Sequence, residues 1–91
     1  MPVSVNGQAS VRYWAAARSA AGVDGDVVDA GTLDDVVRQV LRIHRDRERF
    51  ADVIDACSIL VAEVPVGARD HGEVVVRAGD SVEFLPPFAG G

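Results

Sequence analysis

Ninety-one residues, 48% hydrophobic and 25% charged, suit one domain spanning 1–91 with a single core of modest stability. No stretch approaches the ~18 consecutive apolar residues that a membrane span requires, and a formal net charge of −5 at pH 7 speaks against nucleic acid, whose phosphates need a positive field. Every one of the nine cationic residues is arginine, so no side-chain amine is present to form a Schiff base or accept an isopeptide bond, and the single Cys57 rules out an internal disulfide.

The chain opens Met1-Pro2-Val3-Ser4-Val5 with no basic stretch ahead of an apolar run, so a secretory signal is not expected and a cytoplasmic location is. Asn6-Gly7 is a turn dipeptide, and residues 1–9 read either as a short hairpin arm or as a loose N-terminal extension. Residues 10–14 alternate and are rich in β-formers, which predicts a strand with Val11 and Tyr13 on one face. Residues 15–21 switch to helix formers, with Gly22 as C-cap. Asp24-Gly25 marks a turn before a brief strand at 27–30. Thr32 is a good N-cap, and Asp35 three residues on makes a capping-box variant that also sets negative charge at the positive end of the helix dipole.

Leu33, Val36, Val37, Val40 and Leu41 then recur on one helical face, while Asp34, Arg38, Gln39 and Arg42 lie off it, which defines the main helix. Residues 45–49 are a mixed-charge run that reads as solvated. Phe50, Val53, Ile54 and Cys57 share one face of a short second helix, so Cys57 reads as a small core residue rather than a nucleophile. Residues 58–64 form a β-rich run ended by Pro65, 66–72 a loop, 73–77 a fourth strand, 78–80 a tight turn, and 81–85 a fifth strand. His44, His71 and Cys57 match no zinc spacing, so no metal and no bound cofactor are expected.

The stretch with chemical content is the last one. Val82, Phe84 and Leu85 are good strand residues, whereas Pro86-Pro87 cannot donate to a ladder and keeps the chain extended, aimed away from the body. Gly90 and Gly91 have no side chains, so a partner can close around bare backbone and admit the Gly91 carboxylate to a narrow site. Two glycines alone are a weak signal, since glycine is common. A strand and a Pro-Pro spacer leading straight into them give the pair its meaning. Residues 84–88 are nearly continuously apolar, and alternation puts Phe84 and Leu85 on opposite sheet faces, one in the core and one on a docking face. Together with Pro86, Pro87, Phe88 and Ala89 they are the candidate partner-binding residues, with Phe88 as the expected aromatic anchor.

This order of elements, strand, helix, strand, main helix and three further strand segments ending in Gly-Gly, resembles the ubiquitin-like β-grasp sulfur carriers over residues 10–91. The run from Asp80 to Gly91 is most similar to the D-x-V-x-F-x-P-P-x-x-G-G ending of the small subunit of molybdopterin synthase; sulfur carriers for thiazole and cysteine synthesis share the Gly-Gly but usually lack the Pro-Pro. Residues 1–9 extend beyond the usual start of that family. The resemblance implies an α+β, ubiquitin-like β-grasp fold with a mixed sheet of about four to five strands packed on one main helix, plus short additional helices, ending in an extended tail at 86–91. It implies a carrier that is not catalytic alone. An adenylating enzyme of the ubiquitin-activating type would use ATP to adenylate Gly91, and a sulfurtransferase would supply sulfur for a thiocarboxylate. The large subunit of molybdopterin synthase, probed by the tail in a heterotetramer, would pass that sulfur to cyclic pyranopterin monophosphate. The same ending also fits a ubiquitin-like modifier or plain interaction module whose tail joins a target amine, and the amphipathic pattern alone would suit a structural domain with no reactive terminus.

Overall fold

The computed structural model describes residues 7–87; residues 1–6, most of the stretch read as arm or extension, lie outside it. Gln8 and Ala9 belong instead to the first strand, β1 (Gln8–Tyr13), because Ala9 points into the core with Val11 and Tyr13. Helix α1 (Ala15–Ala21) follows and ends at Gly22, whose φ of 79° is the left-handed conformation of a glycine C-cap. The chain returns along β1 as β2 (Gly25–Asp29), antiparallel and in register from Gln8↔Asp29 to Arg12↔Gly25.

A two-residue strand, β3 (Gly31–Thr32), leads into the main helix α2 (Leu33–Ile43). Its capping box is fully formed: the Asp35 N–H donates to Thr32 Oγ1 at 3.1 Å and the Thr32 N–H donates to Asp35 Oδ2 at 3.0 Å. Such a cap stabilises a helix by about 1 kcal/mol. The bond from the Thr32 N–H first, then the Thr32 hydroxyl and the Arg38 guanidinium, hold the Asp35 carboxyl below the usual carboxylate range. Helix α3 (Phe50–Ala56) buries Phe50 and Ile54.

Two expectations change beyond α3. The run at 58–64 is a hairpin, β4 (Ser58–Val61) and β5 (Val64–Pro65), turned by Ala62 and Glu63 at φ 50° and 68°. A two-residue turn with both positions left-handed matches the twist of the strands it joins, but neither residue carries the usual Gly or Asn signal. Pro65 therefore sits within the second arm rather than ending the first. The strand expected at 73–77 shrinks to β6 (Val75–Val76), paired with β3 in a small separate sheet. Glu73 is drawn into a 3-10 turn, His71–Glu73, and the Arg77 N–H is taken by Asp80 Oδ2 at 2.8 Å, so neither end is free to extend the ladder.

The last strand, β7 (Ser81–Leu85), keeps its expected bounds and takes the middle of the five-stranded sheet, ordered β2-β1-β7-β4-β5. It runs parallel to β1, with Tyr13↔Phe84, and antiparallel to β4, with Ile59↔Phe84. Val82 and Phe84 from β7 join Val11, Tyr13, Val28, Ile59 and Val61 on the inner face, packed on Leu33, Val36 and Val40 of α2. Each such side chain contributes about 1.5–3 kcal/mol on full burial.

A polar cluster crosses this core. The Tyr13 hydroxyl donates to Asp26 Oδ2 at 2.6 Å, and the same oxygen lies 2.6 Å from His44 Nε2. A carboxylate only accepts, so Nε2 carries the proton. Burial first, then the Asp26 bond and charge, push the Tyr13 phenol well above its ordinary pKa. The His44 ring also lies against Tyr13 and Phe50, at 5.7 and 4.7 Å between centroids.

Candidate functional site at the end of the central strand

Strand β7 delivers the tail. Phe84 is fully buried, stacked on Tyr13 at 5.9 Å between centroids. It is a core residue, which removes it from the candidate partner contacts: its side chain is fully buried and no partner reaches it without unfolding. Leu85, next in the strand and on the other face, is half-exposed, as is Pro86, and Pro87 is exposed. Phe88, Ala89, Gly90 and Gly91, the remaining candidate residues, lie outside the described ones.

The base of the tail is fixed from both sides. Leu85 is paired with Ser58 of β4, and on the β1 side the Phe84 carbonyl accepts from the Trp14 N–H at 3.2 Å. Trp14 itself, 40% exposed, is a site residue that the strand reading passed over. Its indole N–H donates to Glu83 Oε1 at 2.9 Å, and the Arg12 guanidinium stands 4.9 Å over its ring. Arg12, Trp14, Glu83 and Leu85 thus share the outer face beside the exit. The alternation that buries Val11 and Tyr13 already puts Arg12 and Trp14 opposite them, but only the pairing of β1 with β7, distant in sequence, brings Glu83 and Leu85 alongside.

Cys57 stands at the end of α3, half-buried, its Sγ 3.2 Å from the Val53 carbonyl. Burial pushes its thiol up to about 11, so it is protonated at neutral pH and a weak nucleophile. Cys57 and His71 line one cavity of about 150 Å³, together with Val37, Leu41, Ile54, Asp55 and Ile59. Among the described residues no group of three or more His, Cys, Asp or Glu side chains is placed to hold a metal ion, and no helix is long and apolar enough to cross a membrane.

No family model matches the sequence, and no curated protein matches it by sequence. Solved structures do match. Small archaeal modifier protein 1 from Haloferax volcanii superposes with a TM-score of 0.76 at 21% identity, over 93% of this chain and 100% of that one. The fold is a ubiquitin-like β-grasp. Urm1 from Trypanosoma brucei shares this β-grasp with a TM-score of 0.66 at 16% identity, over 98% of this chain and 100% of that one. Subunit 1 or 2 in the complex of molybdopterin-converting factor subunits from Helicobacter pylori does so with a TM-score of 0.63 at 20% identity, over 92% of this chain and 99% of its match. The β-grasp explains why the tail leaves where it does: its central strand is the last one.

Proposed function

We propose that this chain is a sulfur carrier whose Gly91 carboxylate is adenylated at the expense of ATP and converted to a thiocarboxylate, and that it donates this sulfur to cyclic pyranopterin monophosphate in molybdopterin synthesis. The observation that carries the reading is the exit of Pro86-Pro87 from the end of the central strand of a β-grasp, one residue after Phe84, which is locked in the core. The resemblance of the Asp80–Gly91 run to the small subunit of molybdopterin synthase supports the particular pathway, and the structural likeness to a molybdopterin-converting factor complex supports a large-subunit partner.

Chemically, a carboxylate is a poor acyl donor. Adenylation releases pyrophosphate and leaves an acyl adenylate from which sulfide-level sulfur can displace AMP, and the thiocarboxylate so formed is a strong nucleophile at neutral pH. The chain supplies the reactive end and no acid, base or metal; the adenylating enzyme, the sulfurtransferase and the large subunit supply the rest. Four residues, Phe88 to Gly91, reach about 14 Å beyond Pro87 when extended, enough to enter a buried site in the large subunit. Leu85, Pro86 and Pro87 at the base, with Phe88 and Ala89 beyond, form the docking segment in this reading.

The test is intact mass after incubation with ATP, an adenylating enzyme and a sulfur donor, followed by transfer. One sulfur gained in place of oxygen, and molybdopterin formed only by the thiocarboxylated chain with a large subunit, is the expected result. Deleting Gly91 should abolish transfer, and Gly90→Val should nearly do so, because a β-branched side chain widens and stiffens the backbone. Phe88→Ala should weaken capture by the large subunit about tenfold, the scale of a lost aromatic anchor. Sulfur delivery to a thiazole or cysteine precursor, with none to the pterin, would reassign the pathway. The likeness to an archaeal modifier protein favours one second reading: a branched peptide joining Gly91 to a target amine would establish it.

A further inference from the structure

The outer edge of the sheet at β2 is closed by a side chain. In the β1–β2 ladder the Ala30 N–H donates to the Gly7 carbonyl and the Tyr13 N–H to the Asp24 carbonyl. Antiparallel pairs alternate between bonded and non-bonded, so the register turns the backbone groups of Gly25, Val27 and Asp29 outward, away from β1. At Asp29 both outward groups are met by one residue of α2: the Asp29 N–H donates to Gln39 Oε1 at 2.8 Å, and Gln39 Nε2 donates to the Asp29 carbonyl at 3.0 Å. This is the two-bond exchange that a neighbouring strand would make. A further bond from Nε2 to the Asp35 carbonyl, 3.3 Å, holds the amide in place.

We infer that Gln39 is a strand surrogate that guards the β2 edge against pairing with a second copy of this chain. The edge is otherwise well suited to that pairing. Val27 projects from the outer face, 63% exposed, and antiparallel pairing about a two-fold axis at Val27 would set Val27 against Val27 of the second copy, an apolar cross-strand pair. It would also set Asp29 against Gly25 rather than against another carboxylate. The bonded pairs of that ladder would be Gly25 with Asp29, Val27 with Val27, and Asp29 with Gly25. With Gln39 holding Asp29 in each copy, both outer pairs are lost and only the central one remains, too little for a stable interface. This inference stands apart from the sulfur-carrier reading and concerns the free protein.

Amide hydrogen exchange on the unaltered protein tests the guard directly. The Asp29 amide should exchange at least about tenfold more slowly than that of Val27, the scale of one retained hydrogen bond. Equal rates at the two positions would overturn the inference. Gln39→Ala should then convert the monomer to a dimer at high concentration in analytical ultracentrifugation, and adding Val27→Lys, which sets like charges across the two-fold, should return it to monomer. A Gln39→Ala chain that remains monomeric, or a dimer indifferent to Val27→Lys, would show that the edge is not what Gln39 guards.

Discussion

The two faces of β1 carry polar clusters of similar make-up in opposite surroundings. Inside, Tyr13 meets the Asp26 carboxylate and the His44 imidazole; outside, Trp14 meets the Glu83 carboxylate and the Arg12 guanidinium. Each has an aromatic ring, an acid and a nitrogenous group, and Tyr13 and Trp14 are consecutive residues. The inner trio has side chains only 9% (His44) and 16% (Asp26) exposed, so each polar atom depends on its partners for what water would otherwise supply. The outer trio sits at the surface, where water replaces any bond that breaks. The same chemistry therefore fixes the fold on one face and remains available for contact on the other.

Asp26→Ala should break this contrast most visibly. It leaves the Tyr13 hydroxyl and the His44 Nε2–H without their acceptor, and the cost in urea unfolding should be about 3 kcal/mol. A loss no larger than that of an ordinary surface change would mean that water reaches the cluster. Tyr13→Phe removes one donor and keeps the ring, so about 1–2 kcal/mol is expected in the same measurement. Thr32→Ala, at a cap outside both clusters, calibrates the scale at about 1 kcal/mol.

That cap also makes a pH-dependent contribution. Because the Asp35 carboxyl is depressed in the fold, its stabilisation is present above the ordinary carboxylate range and is lost as pH falls through the folded value. Unfolding of Asp35→Asn should accordingly depend less steeply on pH in the acid range than that of the unaltered chain. Trp14→Ala should have the smallest effect on stability, within about 0.5–1 kcal/mol. A loss as large as that for Asp26→Ala would erase the distinction between the faces.

The features that sequence made legible are local. Ala15 to Gly22, the Thr32/Asp35 box, the apolar face of α2 and the bounds of β7 all follow from residues a few positions apart. The features it did not reveal depend on distant partners or unmarked backbone. Ala62 and Glu63 turn a hairpin without glycine, and Arg47, in a run read as solvated, donates to the Ala20 carbonyl at 2.9 Å near the end of α1. Asp26 and His44 find each other only once β2 and α2 are packed. At the candidate site, the exposure of Leu85 and the burial of Phe84 follow from alternation, but the direction of that alternation is set by the β1 and β4 neighbours.

The place of β7 between β1 and β4 has a consequence for how the molecule is made. Ser10 pairs with Ser81 and Tyr13 with Phe84, so the ladder at the heart of the sheet closes nearly the whole chain into a loop, which makes its formation slow compared with local turns and helices. During synthesis β1 and β2 can associate early, but the other side of β1 stays open until β7 leaves the ribosome. Until then β1 presents an unpaired edge with Val11 and Tyr13 uncovered, the kind of surface on which nascent chains aggregate. Completion of the sheet and delivery of the Pro86-Pro87 segment are thus one event, and chains that lack β7 should aggregate through the edge they fail to cover.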